Sequence, residues 1–198
     1  MVLVNTPTWG NTAEGKEIIT LDGATEYLEL PNADCLDLDF TTEDYSIGMW
    51  FKWTTGNPTL ILMGRYEIDV GGWEFYLADN AGTDRILTLR HNHAGGATVR
   101  SACYSINWTK DVWWFVGCSR DGAAAQHYRN GNPIATTHGV GGLEGIETTT
   151  QDLTIGVRYT KNANYYCGPL GRTRIWNRVL TRAEWLQIFE TERHLYGV

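Results

Sequence analysis

Residues 43–53 read EDYSIGMWFKW, and their alternation decides the fold. Tyr45, Ile47, Met49, Phe51 and Trp53 fall on one parity, with Ser46, Gly48 and Lys52 between them. Successive side chains of a strand point to opposite faces, so this period of two predicts a half-buried strand. Working outward, the period recurs. WWFVGCSRDGAAAQHYRNG (113–131) carries the inward row Trp114, Val116 and Cys118. Trp73, Phe75 and Leu77 alternate around Glu74, and Leu87 and Leu89 around Thr88 and Arg90. Asn130-Gly131, set between Gln126–Arg129 and Pro133–Ala135, predicts a two-residue hairpin turn, which needs positive φ at both central positions. Thr59–Arg65, Thr98–Cys103, Leu153–Val157 and Leu170–Trp176 bring the set to about ten strands. The expectation is an all-β, two-sheet antiparallel sandwich.

One helix breaks the pattern. Thr181-Arg182-Ala183-Glu184 is a capping box, and the helix it opens should run to about His194, with Gly197 just past its end. Trp185, Ile188 and Phe189 form its apolar face, to be laid on the outside of the sandwich or across an end. Residues 1–16 are polar, hold Pro7 and Gly10, and read as an extended N-terminal arm ahead of a domain at 17–198. Within the arm, Val4, Pro7 and Trp9 are the candidates for attachment to a neighbour. Gly139–Thr150 reads as a long Gly/Thr-rich loop, free to move or to touch a partner.

The totals set bounds. A chain of 198 residues fits one domain and should bury roughly 70% of its unfolded surface. Its 22 Gly, nine Trp and ten Tyr favour short strands and tight turns. A net charge of −7 argues against a nucleic-acid groove, which needs a basic stripe to replace phosphate counterions. No apolar run approaches the 18 or so residues of a membrane span. The opening MVLVNTPTWGNTAEGKE lacks a basic segment followed by a long apolar one, so no cleaved secretory signal is expected in this chain. Cys35, Cys103, Cys118 and Cys167 form no CxxC pair and read as buried free thiols. Trp9 and Trp108 are the tryptophans expected at the surface, the others in the core.

Four phrases in order now carry a resemblance: LDGATEYLEL (21–30), EDYSIGMWFKW (43–53), the Trp-rich strand running into Asp121-Gly122 and Asn130-Gly131, and LTIGVRYTKNANYYCGPLGRTRIWNRVLT (153–181). Together the series resembles the laminin-G-like jelly roll of the concanavalin A-like lectin and glucanase class. That resemblance implies a jelly-roll sandwich with one short C-terminal helix. It also implies a calcium ion in many relatives, for which Asp22 is the candidate ligand here, beside Asp37 and Asp39. Two departures bear on that ion. Gly171-Arg172-Thr173 stands where many relatives carry acidic residues, and Cys167 stands where a polar residue is usual.

Candidate chemistry is sparse. Glucanases of this class use alternating acidic residues, and retaining hydrolysis needs two carboxyls about 5–5.5 Å apart on one face. In Glu67-Ile68-Asp69-Val70-Gly71-Gly72 the next acid is Glu74, an odd number of residues from Glu67, which puts the two on opposite faces of a regular strand. No catalytic residue is therefore assigned. His91-Asn92-His93 has a spacing that can chelate a metal but lacks supporting ligands, and His127, His138 and His194 are isolated. Asn107-Trp108-Thr109 is a glycosylation sequon read here as a chance match. Arg158-Tyr159-Thr160-Lys161-Asn162-Ala163-Asn164-Tyr165-Tyr166 is a polar, aromatic loop whose flat rings, amides and guanidinium suit a glycan or a protein. Arg158, Tyr159, Asn162, Asn164, Tyr165 and Tyr166 are its contact candidates.

These features lead to a non-catalytic recognition or structural protein, displayed on a larger assembly such as a bacteriophage virion, in the manner of a capsid decoration protein, and binding surface glycans. Its partners would be capsid or other virion subunits and glycans, and its place the virion or an extracellular surface. The alternative is a free or secreted polysaccharide-binding module, and a glycoside hydrolase is the third reading.

Overall fold

The computed structural model describes residues 1–54, 59–79, 84–93, 98–103, 106–139 and 142–198. Its strands, in chain order, are β1 (Val2–Val4), β2 (Thr8–Asn11), β3 (Glu17–Asp22), β4 (Tyr27–Leu30), β5 (Tyr45–Phe51), β6 (Thr59–Glu67), β7 (Gly71–Asp79) and β8 (Asp84–Asn92). They continue with β9 (Thr98–Cys103), β10 (Ile106–Asn107), β11 (Trp114–Asp121), β12 (Ala124–Arg129), β13 (Asn132–Ile134), β14 (Thr136–His138), β15 (Leu153–Ile155) and β16 (Cys167–Trp176). One sheet runs β1-β4-β15-β6-β7-β8-β9-β14, with β10 also on β8, and the other β13-β12-β11-β5-β16-β3-β2. Every pairing is antiparallel. The two-sheet sandwich stands as expected.

The core lies between the sheets. From one side come Tyr45, Ile47, Met49 and Phe51 of β5 with Val116 and Cys118 of β11; from the other, Trp73, Phe75 and Leu77 of β7 with Leu87 and Leu89 of β8. Those are the rows the alternation picked out. The Asn130-Gly131 turn also forms, with φ of 50° and 74°.

One expectation needs correcting. β5 is buried on both faces, because a helix covers the residues between its core positions. That helix, α1 (Arg182–Glu192), is capped by Thr181 Oγ1, which accepts from the Glu184 amide, while Glu184 Oε2 accepts from the Thr181 amide at 2.8 Å. Its Trp185 lies flat over Gly48 and Gly117, where a Cβ on either residue would overlap the ring. The indole Nε1 donates to Ser119 Oγ at 2.9 Å. Trp50, Phe115, Tyr128, Phe189 and Tyr196 complete this second apolar layer. Glu192 fastens the far end: it accepts from Trp50 Nε1 at 2.9 Å and pairs with Arg172 and Arg174.

The departure at Gly171-Arg172-Thr173 has a structural reason. β16 changes register there, and the Arg172 amide donates to the Tyr196 hydroxyl at 3.0 Å. A Cβ on Gly171 would meet that hydroxyl at 2.5 Å, so the bulge needs glycine. At one end of the sandwich the fully buried Arg65 ties two loops together. Its guanidinium pairs with Asp39 at 2.7 Å and donates to Asn32 and to the carbonyls of Cys35, Thr149 and Gln151. The loop expected at 139–150 is pinned too, in its described part: Leu143 and Ile146 enter the core.

Residues 1–16 are built into the sandwich as two edge strands. β1 pairs with β4 and β2 with β3, and Asn5 and Thr6, both at positive φ, turn the chain from one sheet to the other. Between these edges opens an apolar cleft of about 460 Å³, lined among others by Trp9, Ile19, Leu28, Met63 and Ile155.

Candidate functional site

α1 occupies the outer face of the seven-stranded sheet; on the outer face of the nine-stranded sheet Tyr66, Glu74, Tyr76 and Thr88 are themselves buried, and Arg100 is exposed. The register Gly64↔Glu74↔Arg90↔Arg100 runs straight across β6, β7, β8 and β9, and places those four residues on one face. Two residues along, Tyr76, Thr88 and Ala102 form a parallel row, and Tyr66 lies beyond Gly64 on the same parity. The opposite parity holds the core residues Trp73, Phe75, Leu87 and Leu89. Strand alternation alone thus builds an outward face of charge and aromatic rings.

Glu74 is the electrostatic centre. Its side chain is 1% exposed, with the Arg90 guanidinium at 2.5 Å and the Arg158 Nε at 3.8 Å. Burial pushes the carboxyl above its usual range, against the pull of Arg90 and Arg158. The Arg90 guanidinium in turn sits 4.0 Å from the ring centre of Tyr66 and 5.1 Å from that of Tyr76. Tyr159 closes edge-on against Tyr66, centroids 5.6 Å apart. Asn164 turns its amide oxygen to the Arg158 guanidinium at 3.1–3.2 Å, the orientation that satisfies both groups. The arrangement is an Asn–Arg–Glu–Arg series set among three tyrosines, of which Tyr66 and Tyr76 are buried and Tyr159 is half-buried. Beyond it the face dips into a hollow of about 300 Å³ lined by Tyr76, Thr88, Arg100, Thr137 and His138.

The loop after β15 supplies the rim. Tyr159 and Arg158 are half-buried against the sheet, Asn162 is exposed, and Asn164 and Tyr165 are half-buried. Tyr165 donates its hydroxyl to the Lys161 carbonyl at 2.5 Å, which closes the loop on itself. Lys161 bonds Asp152 at 2.7 Å and Glu29 at 2.8 Å. Burial works against its charge, but those two carboxylates outweigh it and hold its pKa above the ordinary value. The structure places Tyr166 differently from the expectation. It is fully buried, its hydroxyl donating to the Pro169 carbonyl at 3.3 Å, so it anchors the loop and cannot touch a ligand.

The remaining candidates are dispersed. Trp9 is 63% exposed, while Val4 is half-buried and Pro7 buried, so neither of those two presents a free contact. Trp108, expected at the surface, is fully buried, donating to the Arg85 carbonyl at 3.0 Å. Asp22 is spent on its own turn: Oδ1 accepts from the amides of Ala24, Thr25 and Glu26, and Oδ2 from the Thr25 hydroxyl. Slight burial opposes the charge, yet those bonds bring its pKa to about 2. Asp39 is held by Arg65, and Asp37 is exposed. These residues do not fit a calcium ion, and among the described residues no three His, Cys, Asp or Glu side chains converge on one. His91 is buried between the Tyr45 hydroxyl and the Glu144 carbonyl, 2.7 Å from each, and does not act with His93. Glu67 accepts from the Thr149 hydroxyl at 3.3 Å, and Asp69 sits in the β6–β7 turn at a φ of 60°.

The sandwich and its helix can be set beside known proteins. A laminin-G family model, described as concanavalin A-like lectin/glucanases superfamily, matches residues 22–184. The protein belongs to that superfamily. No curated protein matches it. Among solved structures, this member of the superfamily is similar to the botulinum neurotoxin type G receptor binding domain, with a TM-score of 0.67 at 13% identity over 96% of this chain and 46% of that one. The chain thus spans just under half the length of that toxin domain. It is also similar to domain 4 of AbnA, an extracellular arabinanase from Geobacillus stearothermophilus, in complex with arabinotriose (TM-score 0.64, 17% identity, 93% and 81% covered). A third is the CBM40 of the Ruminococcus gnavus IT-sialidase, bound to α2,3-sialyllactose (TM-score 0.60, 16% identity, 87% and 96% covered). At these identities the likeness establishes the shared fold.

Proposed function

We propose that this protein is a non-catalytic recognition module that binds glycans across the outer face of its nine-stranded sheet. The observation that carries this reading is the hollow of this face, bordered by the exposed Arg100 and by Tyr76, Thr88 and Thr137, with the half-buried Tyr159 and Arg158 on the neighbouring rim, where Tyr159 keeps a ring within reach of solvent. Sugars are held by flat aromatic faces, with guanidinium and amide groups setting orientation. Here those groups stand on strands and on a loop tied down at both ends, so their positions are set before a ligand arrives. Two relatives of the same fold have bound oligosaccharides in their solved structures, which supports the reading. The acids argue against hydrolysis. Glu67 and Glu74 have opposite parity on β6 and β7, and Glu74 is engaged by two arginines. A glycan array probed with the wild type, Tyr159→Ala and Arg158→Ala is the direct test. Binding by the wild type that falls at least tenfold in both variants, at unchanged melting temperature, is the expected result; retention of no glycan would sink the proposal. Reducing-sugar release abolished by Glu67→Gln would restore the enzyme.

Attachment to a larger assembly is a second part of the proposal, favoured by the N-terminal edge. Met1, Val2, Leu3 and Trp9 are exposed beside the apolar cleft, at the free edges of both sheets. Such an edge suits packing against another protein, such as a capsid subunit of a bacteriophage virion. A free, secreted polysaccharide-binding module would share the sheet face but need no partner at this edge. Copurification with particles at fixed stoichiometry, lost on Trp9→Ser, separates the two.

A further inference from the structure

Resting on the glycan reading above, we propose that the ligand is an acidic glycan, whose carboxylate is bound by Arg100. Arg90 and Arg100 are direct partners across the β8–β9 ladder, on the same outer face. Side chains so placed have Cβ atoms roughly 4.5–5.5 Å apart, and like charges there repel. Arg158 adds a third guanidinium beside them, at the Glu74 carboxylate. That carboxylate is the anion engaged by the group, and it faces Arg90 and Arg158 from the far side of the ladder. Arg100 is exposed, and among the described residues no carboxylate lies within ion-pair distance of it. The chain as a whole carries −7, so three arginines gathered on one face run against its composition.

The hollow gives this charge a shape to act on. Arg100 lines it together with Tyr76, Thr88 and Thr137, in a volume of about 300 Å³, with the buried Tyr76 and Thr88 beneath. A sugar ring in this hollow places a ring substituent against the guanidinium fork of Arg100. A planar carboxylate matches that fork with two parallel hydrogen bonds, which a hydroxyl cannot do. Arg90 is already matched by Glu74, so the charge left for an incoming anion is that of Arg100.

The test compares matched probes: an oligogalacturonate with its carboxyl-reduced form, and sialyllactose with lactose. The wild type should bind the acidic member of at least one pair at least tenfold more tightly than its neutral counterpart, with the gap narrowing as salt rises. Arg100→Gln, at an exposed position, should erase that gap by bringing the acidic member down to the affinity of its neutral counterpart, and Arg100→Lys should restore part of it. Equal affinity for acidic and neutral members, or a gap that survives Arg100→Gln, would overturn the proposal while leaving glycan binding intact. Binding to neither member of either pair, in a protein that melts normally, would count against the glycan reading and this inference together.

Discussion

Glycine decides more here than any charged residue. Gly48 and Gly117 are direct partners across β5 and β11, and together they leave a flat patch for Trp185. A methyl group on Gly117 would drive into the indole, which is already tied to Ser119. Gly117→Ala should therefore cost about 1–3 kcal/mol, the range for overpacking, read as a lower urea midpoint at unchanged slope. Gly10→Ala is the matched control. A Cβ there meets its nearest neighbour at 3.9 Å and has room, so its effect should be small. Neither outcome is visible in a propensity scale. The residues that misled at this scale were aromatic: Tyr166 and Trp108 lie in polar stretches, and only the tertiary fold shows that their rings turn inward. Asp22 shows another limit, since the sequence does not reveal that its Oδ1 accepts the amides of its own turn.

At the level of elements, α1 is held by one carboxylate as much as by its apolar face. Glu192 is 8% exposed and joins Trp50 of β5 to Arg172 and Arg174 of β16. Removing it leaves the Trp50 N–H and a half-buried Arg174 without their partner. Breaking such a pair costs about 3–5 kcal/mol when burial is complete, and about 2–3 kcal/mol is expected here because Arg172 can turn to water. Glu192→Ala should show that loss in urea unfolding followed by tryptophan fluorescence, and Glu192→Gln, which keeps an acceptor for Trp50, a smaller one. The capping box and the apolar positions of this helix are legible in the amino-acid sequence, because both are local patterns. Its docking surface is not. The tie depends on Glu192 meeting β5 and β16, 142 and 18 residues away. The proposed recognition face is hidden for the same reason. Glu74 and Arg90 stand in the sequence only as the polar positions between core residues, and their adjacency follows from a register that alternation does not specify.

For the molecule as a whole, two histidines set the response to acid. His91 and His127 are buried, and desolvation brings both to a pKa of about 3. In the unfolded chain each titrates near 6.5. Below that value the unfolded state takes up protons that the folded state refuses, so stability is full above pH 6.5 and declines as the pH falls toward 3. The slope should approach about 1.4 kcal/mol per pH unit for each histidine. Urea midpoints measured between pH 7.5 and 4.5 should fall steadily, and replacing His127 by Asn should flatten the curve by roughly half. The architecture is legible at this scale because inward rows repeat on strand after strand, while the order of strands within each sheet is not. That order has a further consequence. β16, which spans residues 167–176, stands between β3 and β5, and β15, at 153–155, stands between β4 and β6. During synthesis, then, β3, β4, β5 and β6 each leave the ribosome with a neighbouring strand still untranslated. Neither layer can close until the strands at 153–155 and 167–176 have been made, so the earlier strands must wait for a late partner to slot between them.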